Sequence, residues 1–173
     1  NIEVINVVRR EEQAEMLKKL GAKHVVVTGS DEAKWKAELQ SKITGLDAKV
    51  AFDAISGKMS GDLLDLMPPK GIVYIYGGLA GKAENINPLD LIYKEKKIKG
   101  FFLSSWIKKG DPVRMIARMI ATGSKVNAGL ANGGWSSSQF KDTRMENVHA
   151  DVVTHIESGA TGAKLRIRFD TWV

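Results

Sequence analysis

Two adjacent arginines, Arg9 and Arg10, stand directly after a short β-branched run, Glu3–Val8 (E-V-I-N-V-V). A guanidinium grips a phosphate bidentately, whereas a carboxylate in that place would repel one. Small or polar residues follow three more strand-like runs: Ala54-Ile55-Ser56-Gly57, Tyr76-Gly77-Gly78-Leu79 and Ser104-Ser105-Trp106. Any one of these glycines can serve only to make a turn. Three such exits together describe a groove in which a ligand approaches backbone closely. Other chemistry is poorly supplied. His24, His149 and His155 share no metal-ligand spacing. With 0 Cys the chain has no disulfide, no thiolate zinc site and no Cys nucleophile. Ser56, Ser104 and Ser105 have no His and acid set to form a triad, and no G-x-S-x-G elbow occurs.

The elements that must position these residues are legible in order. After Glu3–Val8 comes a helix over Glu11–Leu20, with Ala14, Leu17 and Leu20 on one face and Gly21 closing it. His24–Val27 is a second strand. Asp31 can cap a helix that places Trp35, Leu39 and Ile43 on one stripe. Lys49–Ile55 (K-V-A-F-D-A-I) is a third strand, followed by a short helix carrying Leu63, Leu64 and Leu66. Pro68-Pro69-Lys70-Gly71 turns into a fourth strand, Ile72–Tyr76. Asn87-Pro88 and Asp111-Pro112 are two copies of one helix-start signal, with the strand Lys97–Leu103 between them.

Strand and helix thus alternate, which predicts an α/β fold: a doubly wound parallel sheet with helices on both faces. Most of the strands are continuous apolar runs, as burial on both faces requires. Beyond about Thr122 the character changes. Val126–Phe140 reads as loop, Arg144–Glu157 as an amphipathic helix with Met145, Val148, Val152 and Ile156 along one stripe, and Lys164–Phe169 as a half-exposed strand. This tail is not expected to add another strand-helix repeat.

The 173 residues are enough for a real core, and 43% hydrophobic with 27% charged residues excludes a disordered chain. Lys and Arg number 26 against 20 Asp and Glu, a net charge of +6. Lys94, Lys96, Lys97 and Lys99 form a basic run that reads as helix-end charge and a solvated face. No interleaved aromatics or binding module accompany it, so nucleic acid is not the expected partner. The longest apolar runs are about six residues against the roughly 18 that span a bilayer, so no membrane segment is expected. Asn1 does not read as a natural start, and the redox compartment is unconstrained.

A doubly wound sheet binds its ligand at the carboxyl ends of its strands, where strand order reverses. In dinucleotide folds the acid after the second strand meets the adenosine ribose hydroxyls, and Arg9-Arg10 in that place favours the 2′-phosphate of NADP over NAD. Glu11 and Glu12 still leave a ribose contact open. No G-x-G-x-x-G and no G-x-x-x-x-G-K-[ST] occurs, and Gly77-Gly78-Leu79-Ala80-Gly81 precedes a loop rather than a helix. The phosphate cradle is either unnecessary or lies before Asn1.

Ile5–Val25, Lys49–Gly57, Gly71–Gly81, Asn87–Phe101 and Thr161–Ile167 together resemble the medium-chain dehydrogenase/reductase superfamily. The likeness is greatest to its zinc-independent quinone oxidoreductase and 2-enoyl thioester reductase branch. It implies a Rossmann domain over residues 1–125, lacking its first strand and Gly-rich loop, and a segment 126–173 returning to a GroES-like catalytic domain. It further implies an NADPH-dependent oxidoreductase that transfers a hydride to an activated C=C or C=O, the present chain alone being inactive. By resemblance Arg9, with Arg10, would hold the 2′-phosphate. Ala54, Ser56 and Gly57 would line the adenine and ribose side, and Tyr76, Gly77, Gly78 and Leu79 the nicotinamide. Phe101, Phe102 and Leu103 would back the nicotinamide ring, and Lys164 would approach from the tail. The proton donor and any zinc ligands would lie in the absent domain, so no catalytic residue and no metal ligand is assigned.

The resemblance also implies strand order 3-2-1-4-5-6, in which the absent strand is flanked by Glu3–Val8 and Lys49–Ile55. Left open, that slot would expose two buried-type edges, so a partner or upstream sequence is expected to fill it. The Lys97–Leu103 strand would form the outer edge and pair with a second copy in a homodimer. Two other readings remain open on the sequence: a non-catalytic nucleotide-binding module, and an S-adenosylmethionine-dependent methyltransferase whose acid-bearing strand would be V-A-F-D-A-I.

Overall fold

The computed structural model describes residues 2–132, 139–157 and 163–169. They belong to two compact units, Asn1–Lys109 and Gly110–Val173. This packing division is distinct from the one expected at residue 125, which concerns what the tail would dock on.

In the first unit strand and helix alternate as the periodicity predicts. The elements are β1 (Ile5–Val8), α1 (Glu11–Lys19), β2 (His24–Val27), α2 (Glu32–Gly45), β3 (Val50–Asp53), α3 (Lys58–Leu66), β4 (Ile72–Ile75), α4 (Pro88–Ile92), β5 (Lys97–Gly100) and α5 (Leu103–Ile107). Each pairing is parallel. β1 pairs with β2 (Ile5↔His24), β3 with β4 (Val50↔Ile72) and β4 with β5 (Ile72↔Lys97). β5 ends at Gly100, and Leu103 opens α5 rather than closing the strand as expected.

Neither β1 nor β3 pairs with a second neighbour among the described residues. The five strands therefore form two separate parallel sheets, β1-β2 and β3-β4-β5. Both rest on one apolar cluster. Trp35, Leu39 and Ile43 of α2 and Leu63, Leu64 and Leu66 of α3 meet Val26 of β2 and Val73 of β4 there. Ile5 and Val7 of β1 and Ala51, Ile75 and Ile98 of the other sheet pack against it. Each such side chain contributes about 1.5–3 kcal/mol when fully buried. The opposite face of the three-stranded sheet is open: Phe52 is exposed and stacks on Tyr74 with ring centroids 5.6 Å apart. Leu20, expected on the buried face of α1, lies beyond the helix end and is exposed.

The helix starts follow the sequence. Asp31 Oδ1 accepts from the Lys34 N–H at 3.0 Å, and Asn87 Oδ1 from the Leu89 N–H at 3.0 Å. Several ionic contacts leave no local mark in the sequence. Lys36 bridges Glu32 and Asp62 at 2.6 Å each, Lys58 also reaches Glu32, and so α2 is tied to α3. Lys96, expected on a solvated face, is 3% exposed. Its Nζ donates to the carbonyls of Leu64 and Asp65 at 2.8 and 2.9 Å, at the C-terminus of α3. The ammonium thus sits at the C-terminus of α3, not at the end of the adjacent helix that the basic run suggested. Asp90 meets Lys94 at 2.7 Å and Lys96 at 3.3 Å. Its oxygens take no hydrogen bond of good geometry, so attraction to two ammoniums offsets their burial. Burial pushes the Asp90 carboxyl up, yet the two lysines win and hold it below its ordinary value.

The second unit begins with α6 (Pro112–Ala131), capped by Asp111, whose Oδ1 accepts from the Arg114 N–H at 3.0 Å. Residues 126–131, expected as loop, are the last turns of this helix; Val126, Ala128, Leu130 and Ala131 sustain it despite Gly129. Then come β6 (Gln139–Arg144), a 3₁₀ turn over Met145–Asn147, α7 (Val148–Glu157) and β7 (Ala163–Arg168). β6 and β7 pair in parallel (Phe140↔Lys164, Asp142↔Arg166), so the tail does add a strand-helix-strand unit, contrary to expectation. The polar run Q-F-K-D-T-R shows no strand pattern of its own and is held by its partner. Arg166 forks onto Asp142 at 2.6 and 3.0 Å and Arg168 joins at 3.3 Å. Among the described residues no helix is long and apolar enough to cross a membrane.

Two outcomes follow from this packing. A Cβ on Gly61 of α3 would lie 2.3 Å from the Glu84 carbonyl oxygen and 2.5 Å from that of Asn85, both backbone. Gly61→Ala is expected to cost about 3 kcal/mol or more in urea unfolding. Gly45→Ala, which meets nothing within 4 Å, should not destabilise. The Lys36 and Lys58 ammoniums hold Glu32 at about 2, against an ordinary 4.5. The unfolded chain therefore binds the proton first, and the contribution of Glu32 is complete above about pH 4.5 and fades as pH falls toward 2. Unfolding followed at pH 5 and pH 3 should show a smaller acid loss in Glu32→Gln than in the unsubstituted chain.

Candidate functional site

The carboxyl ends of β3, β4 and β5 are laced together by backbone. The Tyr76 N–H donates to the Asp53 carbonyl at 2.9 Å, and the Phe101 N–H to that of Ile75 at 2.8 Å. After β3 the chain turns sharply on the side chain of Asp53, which is 2% exposed. Its Oδ1 accepts from the N–H groups of Ile55 and Ser56 at 2.8 and 3.0 Å, and its Oδ2 from the Ser60 hydroxyl at 2.6 Å. This turn is why β3 stops at Asp53 instead of running on to Ile55. Ser56 takes φ +64° and Gly57 φ +62°. For Ser56 that left-handed backbone costs on the order of 1–3 kcal/mol and must be held by its surroundings.

The exit from β4 lies against that turn. A Cβ on Gly77 would fall 2.3 Å from the Ala54 carbonyl oxygen, so only glycine lets the two exits touch. The Ala80 N–H donates to the Ile55 carbonyl at 2.8 Å, and the Glu84 N–H to that of Gly57 at 2.9 Å. Ala54, Ser56, Gly57, Tyr76, Gly77, Gly78 and Leu79 are thus brought together. Tyr76 and Leu79 turn outward, Leu79 being 88% exposed, and a Cβ on Gly78 would meet nothing nearer than 3.9 Å. Phe101 is half-buried at the β5 exit, while Phe102 and Leu103 are exposed. The result is an open surface of backbone and small residues bordered by exposed apolar side chains.

The exits of β1 and β2 form a second group. Thr28 donates to the Val8 carbonyl through its N–H at 2.8 Å and its hydroxyl at 3.3 Å. Gln13 reaches back so that its Oε1 accepts from the N–H groups of both Arg9 and Arg10 at 3.1 Å. The two arginines are exposed, at the amino end of α1, where the helix dipole is positive. Cations there repel the dipole, which Glu11 and Glu12 in the first turn counter and an anion would counter further. Lys164 lies exposed on β7 of the other unit, opposite Phe140.

Sequence reasoning missed Asp53 as the anchor of the turn, although an acid followed at once by small and polar residues is the signal of a side-chain-to-backbone turn. The inward aim of Asp53 also counts against the methyltransferase reading, because its oxygens are taken up by the chain itself. Among the described residues no three His, Asp or Glu gather as a metal would require, and the chain has 0 Cys. A zinc centre does not fit these residues. The residue types at the exits are ones a nucleotide can use: backbone and small side chains after β3 and β4, and two guanidiniums after β1.

Residues 1–121 match the family model of zinc-binding dehydrogenases. The mitochondrial enoyl-[acyl-carrier-protein] reductase of Bos taurus is 34% identical over 116 residues, covering 64% of this chain and 30% of that protein. The same enzyme of Rattus norvegicus is 28% identical over 147 residues, 82% of this chain and 39% of its own length. Among solved structures, a protein of Mesorhizobium loti assigned as an NADPH:quinone reductase superposes with TM-score 0.76 at 26% identity, covering 95% of this chain and 45% of that one. The 2-enoyl thioester reductase heterodimer of Candida tropicalis gives 0.72 at 21%, over 98% and 48%, and shows a common fold. The chain therefore spans less than half the length of these relatives. A matched stretch that runs from residue 1 into the first half of α6, on a fold of alternating parallel strands and helices, makes this chain a member of the zinc-binding dehydrogenase family, within the medium-chain dehydrogenase/reductase superfamily.

Proposed function

We propose that these residues belong to an NADPH-dependent oxidoreductase that delivers a hydride to an activated C=C or C=O, of the enoyl thioester, quinone or related carbonyl class. The observation that carries this reading is the pair of exposed guanidiniums at the positive end of α1, in a sheet whose other exits are backbone and small residues. The names of the relatives support the acceptor class. When bound, NADPH supplies the hydride; the protein supplies binding and orientation.

In this reading Arg9 and Arg10 hold the 2′-phosphate, which an acid in their place would repel. Ala54, Ser56 and Gly57 take the adenine and ribose side. Tyr76, Gly77, Gly78 and Leu79 face the nicotinamide, and Phe101, Phe102 and Leu103 back it. Residues 1–125 serve as the dinucleotide domain and 126–173, with Lys164, as a segment docking on a catalytic domain. The unpaired edges of β1 and β3 accept one further parallel strand, with the phosphate-binding loop at its end. The outer edge of β5 pairs with a second copy of the chain.

Fluorescence titration with NADPH and NADH tests the reading. Replacing both Arg9 and Arg10 by Ala in the natural polypeptide is expected to weaken NADPH about 10- to 100-fold and leave NADH within about two-fold, as loss of one or two charge-assisted hydrogen bonds would do. The 173-residue chain by itself is expected to bind NADPH more weakly than a polypeptide that fills the gap between β1 and β3. Equal losses for the two cofactors would remove the 2′-phosphate from the account.

A further inference from the structure

We propose that Asp53 is a positioning residue that sets the geometry of both banks of the cofactor groove through backbone, without touching the cofactor. The proposal rests on the nucleotide reading above. Its starting point is a carboxylate that is 2% exposed and, among the described residues, pairs with no cation. Burying a charge in that way is costly unless hydrogen bonds replace water. Three donors do so: the Ile55 and Ser56 N–H groups on Oδ1 and the Ser60 hydroxyl on Oδ2. Hydrogen bonds to an ionised acceptor are about twice as strong as neutral ones. A strong acceptor suits this position, because the turn holds Ser56 and Gly57 at φ +64° and +62°.

The effect of the turn does not stop at residue 57. It aims the Ile55 and Gly57 carbonyls at the loop after β4, where they accept from the Ala80 and Glu84 N–H groups at 2.8 and 2.9 Å. That loop carries Gly77, Gly78 and Leu79 into place. One carboxylate thereby fixes residues 54–57 directly and residues 77–84 at one remove. Ser60 lies in the first turn of α3 and is fully buried, so the same contact also locks the helix to the turn.

The test uses the natural polypeptide and four variants: Asp53→Ala, Asp53→Asn, Ser60→Ala and, as a control of stability alone, Leu64→Ala. Leu64 is fully buried on the core face of α3 and takes no part in the turn. Asp53→Ala should raise the KM for NADPH at least 10-fold with a smaller change in kcat, and should speed amide exchange at Ile55 and Ser56. Asp53→Asn keeps an oxygen for those two N–H groups and should return KM to within about three-fold of the parent. Ser60→Ala should fall between, and it keeps the test alive if Asp53→Ala does not fold. Leu64→Ala should lower Tm without moving KM. The proposal is overturned if Asp53→Ala or Ser60→Ala leaves KM within two-fold, or if Leu64→Ala raises it as much. Failure of the parent protein to bind NADPH would overturn the cofactor reading itself. Unchanged exchange at Ile55 and Ser56 in Asp53→Ala would instead overturn the positioning role, whatever the ligand.

Discussion

Two sheets that exchange no hydrogen bond among the described residues are held together by one apolar cluster. α2 and α3 lie side by side, and their buried faces reach Val26 in one sheet and Val73 in the other. Parallel strands cannot stand alone, since each needs a crossover and a covered face. Here the helices satisfy both needs for the inner faces, so the strand exits have a fixed platform even where the edge of β1 or β3 lacks a neighbour. The Glu32–Lys36–Asp62 contacts run along the same seam, with Asp62 buried in it and Glu32 half exposed at its margin, where the Glu32 pairing adds modestly.

How far the sequence carried depended on whether the cause was local. Asp31, Asn87-Pro88 and Asp111-Pro112 declared their helices because a cap and its N–H lie within three residues of each other. Trp35, Leu39 and Ile43 declared a buried face because helical periodicity is local too. Lys96 could not be read in that way: its partners at residues 64 and 65 are about thirty positions earlier, so a run of lysines looked uniformly solvated. β6 is another such case, a polar segment made into a strand by pairing across residues 139–168. The end of α6 was lost for a different reason. Asn127 and Gly129 weaken the helical signal, but a helix already nucleated at Asp111 tolerates them.

The candidate site was legible as a set of strand exits and much less so as a geometry. Ala54, Ser56, Gly57 and Gly77 stood out as small residues, and the structure lays their backbones against one another. Neither the hold of Gln13 on Arg9 and Arg10 nor the inward aim of Asp53 leaves a mark in composition. Leu103 was placed on the wrong element because an apolar run of F-F-L is compatible with either a strand end or a helix start.

Three carboxylates in the first unit show how burial separates structural charge from shaping charge. Glu32 is half exposed and answered by two lysines, so its depressed pKa stands for a modest, solvent-screened contribution that fades in acid. Asp90 is buried and answered by Lys94 and Lys96, an arrangement that ties α4 to the end of α3 and stays far from the strand exits. Asp53 is equally buried but is answered only by N–H and O–H donors from the turn it shapes. A cation would neutralise it without prescribing any backbone conformation. Two amides and a hydroxyl leave the chain one way to run, and that difference is why a charge at the end of β3 shapes the backbone turn after it while an equally buried one at Asp90 serves packing.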